Sequence, residues 1–88
     1  MTQSINTPEM QALTRWLRER RTDQGLSMRD LGLRLGMPHS YVHKVEQGER
    51  RLDVVEYVWY CKGLGIPARD GLDLVETCMA APMLGRGR

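Results

Sequence analysis

Four glycines, Gly25, Gly36, Gly48 and Gly65, each close a short run of apolar residues at helical spacing. They cut the chain into segments too short for anything but a bundle of small helices. Thr7, Pro8 and Glu9 read as an N-cap, a proline at the first helical position and an acid in the first turn. A first helix is expected from there to about Asp23, with Leu13, Trp16, Leu17 and Arg20 recurring on one side. Ser27 and Asp30 form a capping-box pattern ahead of Leu31 and Leu35, so the second helix is about two turns long and stops at Gly36. A turn at Gly36, Met37 and Pro38 leads into a third helix that runs from near Pro38 to Gln47. Val42 and Val45 face its inner side; His39, Ser40, His43 and Lys44 face out.

Asp53 and Glu56 repeat the capping pattern, and Val54, Tyr57, Val58, Cys61 and Leu64 make the apolar stripe of a fourth helix before Gly65. Val55 and Trp59 lie off that stripe. Pro67 introduces a fifth helix from about Ala68, carrying Leu72, Val75, Cys78 and Met79 and expected to break before Pro82. Gly32 falls inside the second helix, where glycine costs about 1 kcal/mol relative to alanine, and it points to close packing against the third helix. The remaining glycines read mostly as helix punctuation. No segment shows the strict alternation of a strand, so the expected fold class is all-α, a compact bundle of five helices. Residues 1–6 are expected as a flexible N-terminus, 7–79 as the folded domain and 80–88 as a flexible tail.

A chain of 88 residues supports one modest core and leaves no room for a separate catalytic domain. Cys61 and Cys78 form no CxxC pair, which points away from a zinc ribbon or a disulfide framework and towards the cytoplasm. Neither a signal peptide nor a membrane-spanning run is expected. Charge is unevenly placed: residues 15–51 carry nine basic side chains against five acidic ones, a net +4, whereas residues 52–88 carry a net −1. The basic half is where a polyanion would be met. Both histidines lie on the third helix, and no nucleophile has a base and an orienting acid nearby, so no enzyme chemistry is expected. His39 and His43 at i, i+4 share a helix face suited to a metal but lack a third ligand; no metal and no cofactor are expected.

Two short helices joined by a tight turn allow one to brace across a phosphate backbone while the next enters the major groove. The residues of that unit carry a resemblance. The stretch LRERRTDQGLSMRDLGLRLG over residues 17–36, YVHKVEQGERR over 41–51 and the LG at Leu64 and Gly65 together resemble the XRE-type regulators typified by lambdoid phage repressor and Cro. The resemblance implies a repressor-like DNA-binding domain, with the helix-turn-helix at the second and third helices and double-stranded operator DNA as partner.

It also implies roles. Arg21 and Glu46 stand where the family pairs an arginine late in the first helix with a glutamate closing the recognition helix. His39, Ser40, His43 and Lys44 match or adjoin the base-reading positions. Ser27, Met28 and Arg29 stand at the phosphate-binding start of the second helix; Met28 replaces a frequent glutamine, leaving only its backbone N–H for that contact. Tyr41, Arg50 and Arg51 are the other candidate phosphate contacts, with Tyr41 also placed to touch a thymine methyl. One of the two arginines would alternatively cap the carboxyl end of the third helix. Members mostly act as dimers on near-palindromic operators, and Val55, Trp59, Leu72 and Val75 are the candidate interface. A repressor, simplest as an autorepressor, is expected. The rival is an antitoxin or other interaction module whose segment 77–88 engages a toxin or regulatory protein, with DNA binding secondary.

Overall fold

The computed structural model describes residues 7–86, with side chains through Met79, and among these residues it is all-α. Five helices follow in order: α1 (Pro8–Asp23), α2 (Met28–Leu35), α3 (His39–Glu46), α4 (Val54–Leu64) and α5 (Ala68–Arg86). The starts of α1, α2 and α4 are set by the local chemistry expected. Thr7 accepts from the Met10 N–H with Pro8 in the first turn, and the Ser27/Asp30 and Asp53/Glu56 boxes both close reciprocally. The capping glycines at the ends of α2 and α4 adopt the left-handed conformation, which lets the cap N–H bond back to the last turn. The expected N-terminal segment 1–6 lies outside the described residues.

α1 packs mainly on α5 and α2 mainly on α3, with α4 closing the bundle beneath them. The core is built from Leu13 and Leu17 of α1, Leu31 and Leu35 of α2, Tyr41, Val42 and Val45 of α3, and Tyr57, Tyr60, Cys61 and Leu64 of α4. Burying such side chains contributes about 1.5–3 kcal/mol each. Polar ties fasten the helix ends over this core: Gln24 Nε2 donates to the Leu64 carbonyl at 2.7 Å, and Tyr57 Oη donates to the Ala68 carbonyl at 2.6 Å.

Two sequence expectations change here. The buried stripe of α4 is Tyr57, Tyr60, Cys61 and Leu64, whereas Val54 and Val58 are exposed. Tyr60 displaces them because its ring fills the space against α3, 6.2 Å from the Tyr41 ring. The fifth helix does not break before Pro82 but continues to Arg86. A proline removes one N–H from the helical ladder, and the residues on either side, MAA and MLG, include good helix formers that continue it.

The two cysteines differ in environment. Cys61 is buried and Cys78 exposed, and burial pushes the Cys61 thiol up from its ordinary value. An aromatic disulfide reagent at mildly alkaline pH should therefore titrate Cys78 alone in native buffer and both thiols in urea. Two fast-reacting thiols in the native protein would contradict the packing of α4.

Candidate nucleic-acid interface

The turn between α2 and α3 is tight because Gly32 lets the backbone come close. A Cβ at Gly32 would stand 2.6 Å from the Met37 carbonyl oxygen and 3.4 Å from the His39 nitrogen. The close approach is thus to the turn, one step before the third helix. Met37 N–H bonds back to the Gly32 carbonyl at 2.9 Å, and α3 leaves the turn with Pro38 at its N-cap.

α3 buries Tyr41, Val42 and Val45. On the other side His39, Ser40, His43 and Lys44 are all exposed, as their spacing implies. What holds this face outward is the far end of the helix. Arg21 Nε donates to Glu46 Oε2 at 2.6 Å and Nη2 to Oε1 at 3.1 Å, a bidentate pair. The third nitrogen, Nη1, donates to the Leu26 carbonyl at 2.6 Å. The side chains are only 9% and 1% exposed, so the pair is a buried one. Its hydrogen bonds to Glu46 hold the Arg21 guanidinium above its ordinary value against the opposing cost of burial.

At the start of α2, the Ser27 hydroxyl accepts from the Asp30 N–H and the Ser27 N–H donates to Asp30 Oδ2, both at 2.9 Å. The Ser27 N–H bond, and after it the Ser27 hydroxyl, hold the Asp30 carboxyl below its usual range. The bond to Asp30 Oδ2 occupies the Ser27 N–H, and the first-turn N–H groups of Met28 and Arg29 stay outside the helix ladder. The Met28 side chain packs against the core and Arg29 is exposed.

A helix-turn-helix domain family model matches residues 12–75. Among solved structures, an XRE-family like protein from Pseudomonas syringae pv. tomato superposes with a TM-score of 0.73 at 40% identity, covering 80% of this chain and 85% of its own. The chain belongs to the XRE-type helix-turn-helix family. The restriction-modification controller protein C.AhdI of Aeromonas hydrophila matches at a TM-score of 0.68 and 32% identity, over 74% of this chain and 98% of its own. ClgR, the clp gene regulator of Corynebacterium glutamicum, matches at a TM-score of 0.72 and 25% identity, over 86% and 99%. No curated protein matches. The family is one of DNA-binding transcriptional regulators, not of enzymes. No helix among the described residues is long and apolar enough to cross a membrane.

In this XRE-type domain one expected phosphate contact has to be withdrawn. Tyr41 is 6% exposed; its ring lies against Trp59 and Tyr60 at 6.1 and 6.2 Å. Its register on α3, one residue before Val42, turns it into the core. Arg50 does not cap α3 either. Backbone N–H groups of Glu49 and Arg50 do that, donating to the Lys44 carbonyl at 2.8 and 3.2 Å, while the Arg50 side chain pairs with Glu56.

The candidate interface residues divide as well. Val55 is 77%, Leu72 53% and Trp59 37% exposed, but Val75 is half-buried and packed on the core. Val54, Val55, Val58 and Trp59 line one apolar depression with Lys62 at its edge. Sequence reasoning missed Val54 and Val58 as surface residues by assigning them to the core.

Proposed function

We propose that this chain is a transcriptional repressor, in its simplest form autoregulatory, that binds a near-palindromic operator as a homodimer in the cytoplasm. The observation that carries the reading is the exposed face of His39, Ser40, His43 and Lys44, presented on a helix whose far end is clamped by Arg21 and Glu46. Imidazole and hydroxyl groups donate or accept at base edges, and an ammonium favours the acceptors of guanine. The backbone N–H groups at the start of α2, with Arg29 and Arg51, supply phosphate contacts that set the register.

Dimerisation through the exposed apolar side chains of α4 and α5, Val54, Val55, Trp59 and Leu72, is supported by their exposure. Two recognition helices would then enter successive major grooves about 34 Å apart. The controller role of C.AhdI and the gene-regulator role of ClgR favour a regulator of transcription.

A gel-shift titration against the chain's own upstream DNA and unrelated DNA at several salt concentrations tests the reading. A steep salt dependence with retained preference for the upstream fragment is expected; equal affinity for both sinks the specific repressor. Lys44→Ala and His39→Ala should each reduce that preference by about 1–3 kcal/mol. Equal losses on both fragments would take these two residues out of base reading.

A further inference from the structure

The loop between α3 and α4 carries two adjacent arginines in different surroundings. Arg50 folds back over the protein: its guanidinium lies 5.4 Å from the centre of the Tyr41 ring, and its Nη2 donates to Glu56 Oε2. Glu56 is itself built in, since its Oε1 accepts the Asp53 N–H at 3.1 Å and closes the capping box of α4. Tyr41 belongs to the recognition helix and is buried. Arg50 therefore joins the recognition helix to the first turn of α4 across the loop. Arg51 is exposed, and no ion pair among the described residues holds it.

Drawing Arg50 to a phosphate means giving up a carboxylate partner and a ring face, and its charge is already balanced by Glu56. Arg51 has neither tie. We propose that Arg50 is a positioning residue, which through Tyr41 and Glu56 sets the loop 47–53 so that Arg51 meets the DNA phosphate. The inference rests on the DNA-binding reading and adds a division of labour within it.

Fluorescence anisotropy with a fluorescein-labelled, mixed-sequence DNA duplex of about 20 base pairs, two helical turns, tests it across a range of salt. Five proteins are compared: wild type, Arg51→Ala, Arg50→Ala, Glu56→Gln and the double variant that combines Arg50→Ala with Glu56→Gln. Glutamine keeps the acceptor for the Asp53 N–H and hence the cap, removing only the charge that pairs with Arg50. Melting curves by circular dichroism establish that each variant is folded at the assay temperature.

Arg51→Ala should weaken binding and lower the slope of log affinity against log salt by about 1 per subunit. Arg50→Ala and Glu56→Gln should each weaken binding about threefold to tenfold with the slope unchanged, and the double variant should be no worse than Arg50→Ala. The Glu56→Gln result decides, because on charge alone removing an acid near DNA tightens binding. Tighter or unchanged binding by Glu56→Gln, or a fall in slope for Arg50→Ala equal to that of Arg51→Ala, would make Arg50 a phosphate contact and overturn the proposal. If Arg50→Ala does not fold, Glu56→Gln alone still decides it. A wild-type chain that leaves the duplex unbound overturns the DNA-binding reading and this proposal with it.

Discussion

Arg21→Met should lower the unfolding free energy by about 3–5 kcal/mol, read as a fall in the urea midpoint by circular dichroism. The cost lies less in the lost attraction than in what stays behind. Glu46, its side chain 1% exposed, takes its two charge-assisted hydrogen bonds from Arg21, and methionine would leave that carboxylate buried without a partner. The Leu26 carbonyl would lose its 2.6 Å donor as well. Replacing both members, as in Arg21→Met with Glu46→Leu, should recover most of the stability, because desolvating two charges offsets much of their mutual attraction. The double variant would then separate stability from presentation: with α3 no longer clamped, duplex affinity should remain low in a well-folded protein. A single variant within about 1 kcal/mol of wild type would show that Glu46 finds water or another partner when Arg21 is gone.

Gly71→Val should cost about 3 kcal/mol, the upper end of the range for overpacking. A Cβ at this position in α5 would stand 2.1 Å from Tyr57 Oη, 2.7 Å from Trp16 Cζ3 and 3.1 Å from Leu13 Cδ1. Tyr57 is 5% exposed and its hydroxyl is committed to the Ala68 carbonyl, so it has to break that bond to move aside. The seam at risk joins α1 to α5, the most extensive contact of α5 with the bundle. Asp73→Val, on the exposed side of the same helix, controls for the helix propensity of valine and should stay within about 0.5 kcal/mol of wild type. Equal losses from the two variants would mean that α5 does not approach α1 through Gly71.

The exposed face of α3 was legible for the same reason the helices were. His39, Ser40, His43 and Lys44 share one side of a two-turn helix because of a 3.6-residue repeat, and the Arg21/Glu46 pair was implied by the resemblance to the XRE-type family. Gly71 was not legible. Its tolerance for no side chain comes from Trp16 and Leu13, more than fifty positions away, and nothing local distinguishes it from the glycines that end helices. Gly63 is a second such case, with a Cβ that would fall 2.5 Å from Leu35 Cδ2. The same limit applies to Arg50 and Arg51, adjacent and chemically identical, whose difference arises only from the ring of Tyr41 and the carboxylate of Glu56.

By itself the sequence determined where most of the helices begin and end, because a cap, a capping box and a left-handed glycine act between residues three or four positions apart. Pro82 is the exception, where a local breaking signal did not end the helix. Only the tertiary structure decided which apolar residues are core and which are surface. Tyr41 and Tyr60 went inward while Val54 and Val58 stayed out, because burial is settled by the volume that α3 and α4 must fill together, and neither helix carries that information alone.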